Sequence, residues 1–159
     1  MVKKSNAAGT GYRPLIVFGV LLLFVFCAYS NTFQSAWHLD DYPNVVNNAR
    51  LHLRDFSPNS VINTFFSRSG AFNNLYRPVS CLTFAINWYF GNGNVGGYHF
   101  VNISIHFLTA FFLFLTILNL YKSPGLTAKN KRYGFWIALL SALLWALNPI
   151  QTQAVTYIV

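Results

Sequence analysis

Acid is what this sequence has least of. Its 159 residues include three carboxylates, and charged residues of either sign make up 9% of the chain. A soluble domain carries about 25%. That shortfall excludes an ordinary water-soluble domain and, with 54% hydrophobic and 18% aromatic residues, marks an integral membrane protein. Cysteine is scarce as well. Cys27 and Cys81 are too few for a disulfide framework. Cys27 lies in an apolar run, where it reads as a small packing hydrophobe, and bulky Phe26 before it speaks against lipidation.

The charge that remains is basic, with a formal net of +8. It forms no single patch, so nucleic acid is not indicated as a partner. Lys3, Lys4 and Arg13 precede the first apolar run. Lys122, Lys129, Lys131 and Arg132 separate two later runs. Both clusters act as topology signals that hold their segments in the cytoplasm. Arg50, Arg54, Arg68 and Arg77 instead share one loop with all three acids, and the first three of these read as solvated loop charges.

The expected fold class is all-α, a polytopic integral membrane protein with about three transmembrane helices. Residues 1–14 form a cytoplasmic tail, and residues 15–33 a first span of the required length of about twenty residues. Ala28-Tyr29-Ser30 loosely resembles a signal-peptide cleavage site, but the later apolar runs favour an uncleaved anchor. Residues 34–97 are expected as an extracytoplasmic loop bearing amphipathic surface helices. The first, over about 58–66, starts at Ser57-Pro58, a capping serine before a first-turn proline. Its stripe is Val61, Ile62, Phe65 and Phe66. The second, 78–90, starts at Pro78, carries Ser80, Thr83 and Asn87 on one face, and is short for a span, so it reads as interfacial or re-entrant. Gly91-Asn92-Gly93-Asn94 and Gly96-Gly97 break the chain. Residues 98–121 form a second span, 122–133 a basic cytoplasmic loop and 134–148 a third span. Residues 149–159 are a second extracytoplasmic segment that turns apolar and stops. That ending implies an N-terminal piece of a larger membrane protein, with a genuinely short three-span protein as the alternative.

Two of the three acids, Asp40 and Asp41, stand together in Trp37-His38-Leu39-Asp40-Asp41-Tyr42-Pro43, just after the first span. Neighbouring carboxylates repel, which raises the pKa of one. The pair suits a general base near neutral pH or a divalent-cation site with oxygen ligands, and equally an Asx-type turn before Tyr42-Pro43. His99, Asn102 and His106 share one helix face. His106 lies about 10–12 Å along the helix from its start, a depth at which a polar side chain faces protein or a cavity rather than lipid. The stripe suits a phosphate or metal, or interhelical hydrogen bonding. Arg77, beside Pro78 at a helix start, suits a lipid phosphate or a snorkelling position at the headgroups.

Four motifs follow in order: the Asp-Asp pair, Tyr76-Arg77-Pro78-Val79-Ser80, Tyr98-His99-x-x-Asn102-x-x-x-His106, and Leu147-Asn148-Pro149-Ile150-Gln151-Thr152-Gln153-Ala154-Val155. An acidic motif after a first transmembrane helix resembles the GT-C membrane glycosyltransferases. The set as a whole, over about residues 12–159, resembles the membrane part of the transmembrane and tetratricopeptide-repeat protein O-mannosyltransferases, especially their bacterial relatives. The resemblance implies an inverting transfer of sugar from a polyprenyl-phosphate donor to an acceptor, a protein hydroxyl first and a glycan or lipid otherwise, outside the cytoplasm. It gives the base role to Asp40 or Asp41, and donor phosphate binding to Arg77, His99, Asn102 and His106. Any metal would sit at Asp40 and Asp41, so the cofactor expectation is a possible divalent cation. It places the protein in a bacterial inner membrane, the main loop in the periplasm or outside, with further spans and repeats of about 34 residues beyond Val159. Asn148 and Gln153 stand where the eukaryotic pattern has His and Glu, so the acid or metal role of those positions has no residue here. Two rival readings remain: a non-catalytic membrane scaffold that anchors a repeat domain, and a transporter with a polar path at His99 and His106. Phe107, Leu108 and Phe111 just beyond His106 count against the second.

Overall fold

A computed structural model describes residues 12–67, 77–125 and 128–159, and these are helices joined by turns, without a strand among them. Ser67–Asn74, with its small and polar residues, reads from sequence as a turn-rich loop; its part beyond Ser67, Arg68 included, and Tyr76 lie outside the described residues. Six α-helices follow in order: α1 (Tyr12–Tyr29), α2 (Pro58–Phe65), α3 (Pro78–Gly91), α4 (Val95–Leu120), α5 (Ala128–Ala146) and α6 (Thr152–Thr156). Two stretches are long and apolar enough to cross a membrane, Pro14–Gln34 and Val95–Leu120. Among the described residues a bent pair, Lys131–Ala146 with Pro149–Thr156, makes a third only if its two arms, 50° apart, count as one span. The chain divides into two compact units: residues up to Ser30 with Ile103–Thr152, and Asn31–Asn102 with Gln153–Val159.

The first unit is a helical bundle built from periodic stripes. On α1, Val17, Leu21, Val25 and Tyr29 recur every fourth residue and are buried. On α5, Ala138, Ala142 and Ala146 do the same. Alanines there let the backbones approach closely, the usual device where lipid removes the hydrophobic drive between helices. On α4 the packed residues are Ile103, Phe107, Ala110 and Phe114. Phe18 meets Phe107 edge-on at 4.7 Å between ring centroids, a favourable aromatic geometry. Gly134 sits against Tyr121, where an added Cβ would come within 2.6 Å of that side chain. Cys27 is exposed rather than packed, because it falls between the buried α1 positions. α5 begins at Ala128, inside the basic stretch, since lysine and arginine are good helix formers.

α5 ends at Ala146, ahead of Pro149. The Asn148 side chain accepts the Ile150 N–H at 3.0 Å, so that N–H cannot close a helical bond to Ala146. The freed Ala146 carbonyl takes the Tyr29 hydroxyl at 3.1 Å and His106 Nε2 at 2.9 Å. The exposed carbonyls of a helix C-terminus need such partners.

The second unit has its own core of Val45, Leu51, Leu53, Cys81, Ala85, Tyr98 and Ile158. Tyr98 donates its hydroxyl to the Phe84 carbonyl at 3.1 Å, tying α4 to α3. α2 begins as its sequence signals: Ser57 caps it, Pro58 opens it, and the Ser57 hydroxyl accepts the Ser60 N–H. α3 ends at Asn92 and Gly93, both at positive φ, 46° and 82°, where asparagine and glycine are the residues tolerated. One expectation is corrected here. Gly96 and Gly97 do not break the chain but lie in the first turn of α4. The Asn94 side chain accepts the Gly96 N–H at 2.9 Å and starts the helix. At Gly97 a Cβ would come within 3.3 Å of Asn87 Oδ1, so the glycine serves close approach of α3.

Candidate active site

The site grows from the segment between α1 and the core of the second unit. After α1 a 3-10 turn, Ser30–Gln34, carries the chain to Ser35. Trp37 packs against the core and meets Tyr98 edge-on at 5.0 Å. The chain then turns back on itself, with the Asp41 N–H bonded to the His38 carbonyl at 2.9 Å. A π-helical turn over Tyr42–Val46 follows, opened by Pro43.

This turn separates the two carboxylates. Asp41 is buried, at 2% exposure. Its Oδ2 accepts the His38 N–H at 2.8 Å and its Oδ1 the Val159 N–H at 3.2 Å. Backbone N–H groups rather than a cation satisfy the charge. Asp40 is exposed. Its backbone carbonyl holds the Asn44 amide at 2.7 Å, while its carboxylate has no hydrogen bond among the described residues. Both line a pocket of about 660 Å³ with His38, Asn102, Gln153 and Tyr157.

Asn102, on the second turn of α4, builds the opposite wall. Its amide nitrogen donates to the Tyr157 carbonyl at 2.9 Å and the Val155 carbonyl at 3.4 Å. Thr32 and Thr156 join their hydroxyls at 3.2 Å, fixing the same segment further back. His38 and Tyr157 meet edge-on across the pocket at 4.9 Å. One helix residue thus holds the segment whose last N–H holds Asp41.

The remaining candidates lie elsewhere. His99 is fully buried, with Nε2 at 3.3 Å from the Ser35 carbonyl. That bond makes Nε2 the protonated nitrogen and leaves Nδ1 a buried acceptor without a hydrogen-bond partner. His99 lies within electrostatic reach of Asp41 and supports the turn from behind. Arg77 is exposed at the start of α3 and does not cap it through its side chain. His106 belongs to the bundle, stacked on Trp145 at 4.8 Å and bonded to Ala146, which is interhelical hydrogen bonding. The structure therefore joins Asp40, Asp41 and Asn102 in one pocket and sets Arg77, His99 and His106 outside its lining. Sequence reasoning missed His38, Gln153 and Tyr157 as wall residues. The signal for His38 was its place two residues before the acid pair.

A divalent cation does not fit a site built by these residues. Among the described residues no three His, Cys, Asp or Glu side chains converge on one point. With both Asp41 oxygens engaged, Asp40 is the one carboxylate left, against the six to eight oxygens of a typical Ca²⁺ cage.

Fold and site together define a class: an all-helical protein with membrane-crossing helices, whose second unit presents one free carboxylate in a pocket. Comparison with known proteins narrows it. The chain is 30% identical over 164 residues to human protein O-mannosyl-transferase TMTC1, covering 98% of this chain and 17% of that protein. It is 29% identical over 138 residues to human protein O-mannosyl-transferase TMTC4, covering 82% and 18%. It is 28% identical over 158 residues to the Caenorhabditis elegans protein O-mannosyl-transferase F38B6.6, covering 98% and 21%. The chain thus spans about a fifth of the length of these curated relatives. No family model and no solved structure matches it.

Proposed function

We propose that the chain belongs with these protein O-mannosyl-transferases as a membrane glycosyltransferase of the GT-C type, and that it carries the acceptor-activating carboxylate. The donor in this reading is a polyprenyl-phosphate mannose, and the acceptor a serine or threonine hydroxyl on the extracytoplasmic face. The observation that carries the reading is the division of labour within the acid pair. Asp41 is buried and fully bonded, while Asp40 stands free in the pocket.

Asp40 takes the proton of the acceptor hydroxyl as its oxygen attacks the anomeric carbon. The new C–O bond forms on one face while the bond from carbon to the phosphate oxygen breaks on the other, so configuration inverts. The electron pair leaves with the polyprenyl phosphate, and the proton stays on Asp40 until water removes it. Asp41 holds the turn, with His99 behind it. The leaving phosphate needs a cation or N–H donors. Arg77 keeps an exposed guanidinium, whereas Asn102 has its amide N–H groups on the Val155 and Tyr157 carbonyls.

Mannosyl transfer by the protein in its own membrane tests this. Asp40→Asn removes a general base that contributes about 10²–10⁴-fold, so transfer falls by at least about a hundredfold while the helical content stays. Wild-type transfer by Asp40→Asn would falsify the assignment and leave the scaffold reading.

A further inference from the structure

A second groove, of about 670 Å³, lies between the segment Ala49–Asp55 and α2. It shares no lining residue with the acidic pocket. Arg50 and Arg54 supply its charge, and Ser60 and Asn63 add a hydroxyl and an amide. Arg50 is fixed in place, its Nη1 donating to the Phe66 carbonyl at 2.9 Å. Arg54 is exposed, with no hydrogen bond among the described residues. The groove's acid, Asp55, is already engaged, with Oδ1 accepting the Ser57 N–H at 2.8 Å. That hydrogen bond does not neutralise the carboxylate, but two guanidiniums line the groove against one acid, with no ion pair among these three side chains, so the groove keeps a net positive charge.

An adjoining groove of about 380 Å³ shares His52, Leu53 and Arg54 and adds Trp88, Tyr89 and Asn92. His52 is stacked flat on Trp88 at 3.6 Å, with Nε2 on the Val46 carbonyl at 3.0 Å, so this wall is rigid. Around it Phe56 meets Tyr89 at 4.6 Å and Tyr89 meets Phe90 at 5.2 Å. These three rings are 52%, 41% and 76% exposed. Ile62 on α2 and Phe66, the residue that caps its C-terminus, are exposed at 50% and 49%. Contiguous exposed apolar side chains mark a protein or membrane surface. Aromatic rings set beside arginine are the side chains enriched at the headgroup layer of a bilayer, and a guanidinium matches a phosphate bidentately.

We propose that this groove binds the phosphate of an anionic phospholipid headgroup, with Arg54 and Arg50 on the phosphate and the Phe56–Tyr89–Phe90 cluster in the interfacial layer. The groove shares no lining residue with the acidic pocket, and the inference does not depend on the glycosyltransferase reading. A soluble phosphate ester shares the phosphate chemistry, but it gives no role to the exposed rings. An acidic peptide would use the same two arginines.

The test uses the whole chain, purified in micelles doped equally with phosphatidylglycerol and phosphatidylcholine, with retained lipid counted by native mass spectrometry. Wild type retains phosphatidylglycerol preferentially. Arg54→Gln, at an exposed and unbonded position, keeps its circular dichroism and loses about tenfold in phosphatidylglycerol retention. Arg54→Lys, which keeps the charge without the fork, recovers part of it. Equal retention by wild type and Arg54→Gln overturns the proposal. So does binding of inorganic phosphate in phosphatidylcholine micelles with no preference for phosphatidylglycerol, which assigns the groove to a soluble anion. Release of the lipid by polyglutamate at lower concentration than by inorganic phosphate assigns it to an acidic peptide and also overturns it.

Discussion

The Ala146 carbonyl shows how single residues share a task in an apolar setting. It accepts from both Tyr29 and His106. A carbonyl has two lone pairs, so loss of one donor leaves it satisfied. We expect Tyr29→Phe and His106→Phe each to cost about 0.6 kcal/mol, the average for hydrogen bonds between membrane helices. The double variant leaves a buried carbonyl unpaired, a further penalty of about 1–3 kcal/mol. Denaturation in mixed micelles reads this directly, and strictly additive costs would show that the carbonyl finds another partner. The acid pair follows the same logic with opposite outcomes for neighbours. Asp41→Asn keeps the shape but turns one oxygen into an N–H₂ facing a backbone donor, so it lowers the melting temperature, whereas Asp40→Asn leaves it unchanged. Nothing in the sequence distinguishes Asp40 from Asp41. The difference comes from the His38 N–H three residues back and from the Val159 N–H, 118 positions away, and no local pattern encodes the second contact.

Elements that depend on neighbours in sequence were legible. The α2 start at Ser57-Pro58 is one case, since a cap and a proline act within one turn. Asp55 strengthens it: the Ser57 hydroxyl, then the Ser57 N–H, then Ser60 hold its carboxyl below the usual carboxylate range. A carboxyl with a lowered folded-state pKa stabilises the fold above its unfolded pKa, and that contribution disappears as pH falls through the folded one. Relative to the intrinsic rate at each pH, the protection of the α2 amides therefore falls below about pH 4, and Asp55→Asn, which has no proton to gain, flattens that dependence. A pH-independent protection factor in the wild type would remove Asp55 from the cap. Elements shaped by packing were not legible. Gly96-Gly97 read as a break because glycine is a poor helix former, and the contact with Asn87 that favours it is tertiary. Gly134 is the same kind of position. Gly134→Ala, neutral or better on propensity alone, drives its Cβ into Tyr121 and costs about 1–3 kcal/mol. Pairing it with Tyr121→Gly, which removes the Cβ at 2.6 Å as well as the ring, in a double-mutant cycle recovers most of that loss if the clash is the cause.

For the whole molecule, composition announced membrane helices, but not the division into two units. α4 is one continuous helix whose first turns, with His99 and Asn102, belong to one unit, and whose apolar remainder belongs to the other. Hydropathy records that change only as a polar stripe. Which side of the bilayer each end faces rests on the basic clusters, because lysine and arginine near membrane segments are retained in the cytoplasm. A glycosyltransferase site for an extracytoplasmic acceptor requires the acid pair on the opposite side from Lys122 and Arg132. Leu39 is 90% exposed beside that pair, and Ser123 is exposed in the basic loop. Of the native cysteines, Cys81 is buried and Cys27 lies within the apolar α1, so neither competes strongly for a polar reagent. We expect a membrane-impermeant maleimide to label Leu39→Cys in intact cells, and Ser123→Cys only after permeabilisation. The reverse pattern would put Asp40 in the cytoplasm, where an extracytoplasmic acceptor cannot reach it, and would end the glycosyltransferase reading while leaving the fold intact.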